Sequence, residues 1–220
     1  LALILFMVIN ISFWACFEQA GTSLTLFADR NVDRFIFGWE MPASMTQFFN
    51  PFFIILFGSI FSVMWVKLSK IGKNPSIPLK FCFGIVQLAL GFLLTQVGFQ
   101  FVNEAYQVPI LTLVFLYMLH TTGELFLSPI GLSMVTKLSP KSMAGTAMGA
   151  WFLSFAIANY VGGKIAALTG GHGGGEVTSA EDGLLQYLDT FATIGYVLLA
   201  IAALIFVLNK PIQKLMHGVE

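Results

Sequence analysis

A histidine, a glutamate and a serine stand four residues apart in the stretch Tyr117 to Leu132: His120, Glu124 and Ser128, followed at once by Pro129. The i, i+4, i+8 spacing puts their side chains on one face of a helix. The surrounding run, from about Ile110 to Val135, is apolar and long enough to cross a bilayer, which takes roughly 20 residues. A carboxylate near the middle of such a run costs roughly 2.5–3.5 kcal/mol on insertion scales, so function is the default expectation for it. Pro129 has no N–H, which leaves the carbonyl of Leu125 without its usual donor and predicts a bend just past Glu124. An acid, a hydroxyl and a loosened backbone on one face predict a polar cavity at membrane depth. The alternative is a structural polar triad that ties neighbouring helices together.

A second acid, Glu18, lies inside the first apolar run, with Trp14 and Gly21 at i−4 and i+3 on the same helical face. Buried there, it needs a partner or a proton. No Lys or Arg sits at comparable depth in any apolar run; Lys164, towards the outer end of the fifth, comes nearest. Glu18 is therefore expected to be protonated, to bond a backbone carbonyl, or to meet a cation from chain outside these residues. Asn50-Pro51 interrupts the second run: Pro51 frees the carbonyl of Gln47, and Asn50 offers both a donor and an acceptor, for a kink or for binding. In the fifth run, Gly145, Gly149, Gly162 and Gly163 suit close helix packing, while Trp151 beside small neighbours suits either a cavity wall or the core. Gly21-Thr22-Ser23, with His120 as base, is the pattern an intramembrane serine protease would need, though no glycine follows two residues after Ser23.

The elements that must position these groups are membrane helices. Of 220 residues, 57% are hydrophobic and 10% charged, against about 25% charged in soluble domains. The formal net charge is zero, which argues against a nucleic-acid partner. Cys16 and Cys82 both lie in apolar runs and read as small hydrophobes, with too few soft ligands for a metal cluster; no metal or organic cofactor is expected. Six spans are expected, at about 1–28, 43–66, 79–101, 110–138, 143–168 and 184–208, with a Gly-rich loop holding His172 and Glu176 before the last. The ends of the even-numbered spans carry Lys67, Lys70, Lys73, Lys80, Lys137, Lys141, Lys210 and Lys214; the opposite side carries Arg30, Arg34 and Lys164. That bias places the even-numbered ends in the cytoplasm. The chain starts inside an apolar run with neither an initiator Met nor a basic leader, so it is expected to be a piece of a longer one.

Three stretches carry a family resemblance. Phe13 to Ala28, with Glu18 inside, resembles the seventh helix of the proton-dependent oligopeptide transporters. Gly123-Glu124-Leu125-Phe126-Leu127-Ser128-Pro129-Ile130-Gly131, continuing to Pro140, is similar to that family's tenth-helix signature, and Met148 to Gly163 to its eleventh helix. The resemblance covers nearly the whole chain. It implies an all-α membrane protein, the C-terminal six-helix half of a major facilitator superfamily fold, in a bacterial inner membrane. It also implies symport of di- and tripeptides with protons, the N-terminal half supplying the rest of the site. Glu124, with Asn50 beside it, would take the peptide amino group. Glu18 would respond to protons and pair with a cation of the other half, and Glu124 would share in the proton coupling. Ser128, Trp151 and Trp14 would line the pocket, and Asp29 would join an extracellular gate. Carriers of nitrate or another small anion on the same fold are the rival within the family.

Overall fold

In a computed structural model, residues 1–169, 179–216 and 218 are described; the Gly-rich loop with His172 and Glu176 lies outside them. Six long apolar segments could cross a membrane: Ala2–Asn31, Ala43–Lys70, Ile77–Phe99, Ile110–Leu138, Lys141–Leu168 and Ala180–Val207. The boundaries agree with the expected spans to within a few residues, and the fourth agrees at both ends. Three of the six begin with or are broken by a 3-10 turn, at Glu18–Gly21, Ala43–Phe48 and Lys141–Met143.

The first segment is helix α1 (Ala2–Phe17), a 3-10 turn (Glu18–Gly21) and helix α2 (Ser23–Asn31). The expected continuous helix is therefore broken at Glu18. Side chains cover the backbone freed there, as they must inside a bilayer. Gln19, fully buried, donates from Nε2 to the carbonyls of Ala15 and Gly162 at 2.9 and 3.0 Å. Its Oε1 accepts from the hydroxyl of Ser23 at 2.7 Å, and Thr25 donates to the carbonyl of Ala20 at 2.7 Å.

The second segment starts as a 3-10 turn (Ala43–Phe48) and becomes α3 (Phe49–Lys70). Pro51 therefore stands in the first turn of α3, where a missing N–H costs little, and does not kink a helix interior. Then follow α4 (Ile77–Phe99), α5 (Ile110–Leu138), α6 (Ala144–Thr169), α7 (Ala180–Val207) and the short α8 (Asn209–Leu215). Pro129 lies inside α5, which is helical throughout. On the side away from the lysine-rich ends, β1 (Val32–Asp33) pairs in parallel with β4 (Val108–Pro109), and β2 (Phe35–Ile36) antiparallel with β3 (Trp39–Glu40).

Helix α4 is the centre of the bundle, packed chiefly on α5 and α7, while α1 packs on α6 and α3 on α5. Three glycines seven apart let α4 approach α5. A Cβ on Gly84 would stand 2.7 Å from the carbonyl of Gly123, one on Gly91 2.4 Å from the His120 ring, and one on Gly98 2.5 Å from Thr112. Small residues in register are a usual means of close helix contact in membranes. Around them Phe6, Phe81, Phe92, Phe27 and Phe191 fill the core. Lys80, counted among the lysines at the span ends, sits in the first turn of α4, 7% exposed, with Nζ 4.7 Å from the Trp65 ring centroid. By contrast α3 is nearly bare: Phe53 is its single fully buried residue, and Ile55, Ile60, Val63 and Val66 are exposed.

Candidate functional site

Helix α5 carries Glu124 to the side facing α3. There Asn50, in the first turn of α3, donates from Nδ2 to Glu124 Oε2 at 2.9 Å and to Thr121 Oγ1 at 3.1 Å. Thr121 in turn donates to the carbonyl of Tyr117, which fixes its hydroxyl as an acceptor for Asn50. The place of Asn50 in the first turn of α3 thus aims its amide at a carboxylate from a neighbouring span. Asn50 and Glu124, singled out separately in the sequence, are brought into direct contact.

Glu18 lies at the break between α1 and α2, half-buried, and close enough to Glu124 for the two charges to act on each other. Among the described residues neither acid forms an ion pair; the ion pairs present all belong to Arg34. Two acids sharing one region without a cation repel, so the arrangement is incomplete unless a proton or a positive group enters. The single amide of Asn50 does not neutralise that charge.

The remaining candidates fall in different places. Ser128 is half-buried one turn beyond Glu124 on α5. Trp14 meets Phe13 and Phe17 edge to face and Phe155 at a tilt, at centroid distances of 5.6, 5.0 and 5.1 Å, and its buried indole N–H has no acceptor. Because the helix breaks at Glu18, Trp14, Glu18 and Gly21 do not continue one regular face. Trp151, 2% exposed, is packed over Gly131 of α5, where a Cβ would stand 2.7 Å from its ring; within this bundle it is core. Gly162 packs on the carbonyl of Ala15, with 2.9 Å left for a Cβ, whereas Gly145, Gly149 and Gly163 meet nothing. Asp29 is exposed and lies 3.5 Å from Arg34, which also holds Glu40 at 2.9 Å.

His120 does not join the polar face. Four residues turn a helix by about 400°, so each step drifts about 40°, enough to swing His120 away from Glu124 and onto α4. It is 1% exposed, packed on Gly91 and 4.7 Å from the ring of Phe92. Neither ring nitrogen has a well-formed hydrogen bond, although the carbonyl of Leu88 is near. Ser23 donates to Gln19 and makes no hydrogen bond to His120. The serine–histidine pair that a protease would need is not formed.

Two residues escaped the sequence reading. Gln19 is the clamp between the helix break and α6. Gly91 explains His120; the seven-residue recurrence Gly84, Gly91, Gly98 was the available signal.

The fold and site thus define a six-helix membrane bundle that offers two unpaired acids on a sparsely covered side. The model of the POT family, PTR2, matches residues 1–175, and the chain belongs to that family. It is 38% identical over 210 residues to the peptide transporter YePEPT of Yersinia enterocolitica, covering 94% of this chain and 39% of the relative. It is 35% identical over 214 residues to dipeptide and tripeptide permease A of Edwardsiella piscicida, covering 97% and 43%. A crystal structure of a peptide transporter POT in complex with sulfate matches with a TM-score of 0.83 at 32% identity, covering 99% of this chain and 41% of that one. The chain spans about two fifths of the length of these relatives.

Proposed function

We propose that these residues are the C-terminal half of a bacterial inner-membrane symporter that carries di- and tripeptides with protons by alternating access. The N-terminal six-helix half supplies the other side of the site. The observation that carries the reading is the Asn50–Glu124 pair beside Glu18, with no cation among the described residues to neutralise either acid. A peptide brings an ammonium group, and a charge-assisted bond to Glu124 completes the arrangement. Asn50 orients the carboxylate, Ser128 borders it, and Trp14 and Trp151 shape the apolar wall behind. Glu18 is the proton-responsive acid. With a proton it repels Glu124 less; without one it requires a cation, which the other half provides. Either change biases the equilibrium between two packings of the halves. Asp29 serves the outer gate by exchanging Arg34 for a partner on the other half. The coupling ion is the proton, with no other cofactor, and no covalent chemistry is assigned to the chain.

The relatives named for peptides support the substrate class. A carrier of small anions is disfavoured because two carboxylates line the site. The test is Glu124→Gln in the complete transporter: uptake of peptides with a free amino terminus is expected to be lost. Normal uptake by that variant would remove Glu124 from the site.

A further inference from the structure

Away from this site, a cavity of about 280 Å³ lies between the end of α2 and the start of α7. Its walls include Arg30, Asn31, Ser179, Gly183, Gln186 and Tyr187. Three polar groups there lack partners. Asn31 donates from Nδ2 to the carbonyls of Tyr106 and Ala180, at 3.3 and 3.2 Å, but its Oδ1, buried, accepts nothing. The hydroxyl of Tyr187, on a residue 2% exposed, has no hydrogen-bond partner. The guanidinium of Arg30 comes near that hydroxyl without a well-aligned bond, and among the described residues it forms no ion pair. Nearby acids have neighbours of their own: Asp29 lies 3.5 Å from Arg34, Asp182 accepts from the hydroxyl of Ser179 at 2.7 Å, and Glu181 lies close to Tyr106. The cavity thus offers a cation, a hydroxyl donor and an orphaned acceptor, with acids on its rim.

Its depth narrows the ligand. Helix α7 has 28 residues, about 42 Å at 1.5 Å each, against roughly 30 Å of hydrocarbon and about 40–45 Å with head groups. With α7 centred on the bilayer, its first turn falls among head groups and Gln186 and Tyr187 at the border of the hydrocarbon. We infer that the cavity binds the phosphoethanolamine head group of a phospholipid in the leaflet facing the α2 and α7 ends. The phosphodiester takes the planar fork of Arg30 and the hydroxyl of Tyr187. The ammonium donates to Asn31 Oδ1, and the acids of the first turn of α7 favour it over a second anion. A trimethylated head group has no N–H to give.

This inference does not depend on the transported substrate, and its test reads lipid, not uptake. The complete transporter is placed in nanodiscs with equal phosphatidylethanolamine, phosphatidylcholine and phosphatidylglycerol, and retained lipid is counted by native mass spectrometry. The wild type is expected to keep phosphatidylethanolamine over either competitor by about tenfold. Arg30→Gln and the near-isosteric Tyr187→Phe are expected to lose that preference. Equal retention of the three lipids by the wild type overturns the inference, as does an undiminished preference in both variants. Stabilisation by alanyl-alanine of the wild type but not of Arg30→Gln, read as a melting shift, also overturns it and makes the cavity a peptide site.

Discussion

Helix α5 shows two opposite ways of handling polar groups in a membrane. Towards α4 it presents Gly123, His120 and Thr112 to Gly84, Gly91 and Gly98, and the contact is so close that a single added carbon has no room. His120 there is buried against Gly91 and the ring of Phe92. Towards α3 the same helix presents Glu124 and Ser128, half-buried, with the amide of Asn50 as the one hydrogen-bond partner of the acid among the described residues. The first side is finished within these residues; the second is left needing a positive charge. Stability and function are thus segregated by about a quarter turn of one helix, and substitutions on the two sides should separate folding from transport.

The largest effect is expected from Glu124→Gln. A charge-assisted bond to an ammonium contributes roughly 1.5–3 kcal/mol, so affinity for a free amino terminus should fall on the order of 10–100-fold, with the melting temperature little changed. On the α4 side Gly91→Ala should do the reverse. Overpacking against His120 costs about 1–3 kcal/mol, lowering the melting temperature while the protein that does fold retains peptide affinity. Glu18→Gln should damage proton-driven uptake more than counterflow exchange; equal loss in both assays counts against a coupling role. Gln19→Leu removes four hydrogen bonds at the helix break and leaves carbonyls of Ala15 and Gly162 exposed to an apolar surrounding. A melting shift equivalent to about 1–3 kcal/mol is expected, with weaker uptake if the break positions Glu18. Ser23→Ala should cost about 1 kcal/mol of stability and leave uptake nearly intact, and a fluorophosphonate should not label Ser23.

The six spans and both acids were legible because length, hydropathy and a charge inside an apolar run are local properties. Asn50-Pro51 stood out as an interruption of the second run, for a kink or for binding; its place in the first turn of α3 and its contact with Glu124, 74 residues away in sequence, were not legible. The i, i+4, i+8 spacing misled for His120, since the drift of a helix over two turns is enough to change which neighbour a side chain meets. The break at Glu18 was hidden because residues 1–28 are apolar enough for a continuous helix, and its stabiliser, Gln19, reaches Gly162 from a distant part of the chain. Trp151 could be read as wall or core from sequence; packing on Gly131 decided it within this bundle. In the sequence Lys80 falls among the lysines at the ends of the even-numbered spans, and only the position of Trp65 reveals its burial.

The central claim is that Glu124 is held in an apolar setting to meet an amino group. The most direct measurement compares the affinity of the complete transporter for alanyl-alanine and for N-acetyl-alanyl-alanine, in the wild type and in Glu124→Gln. The wild type should strongly prefer the free amine, and the variant should bind both equally weakly. A variant that still prefers the free amine as strongly as the wild type would contradict the claim and move the recognition of the amino terminus elsewhere.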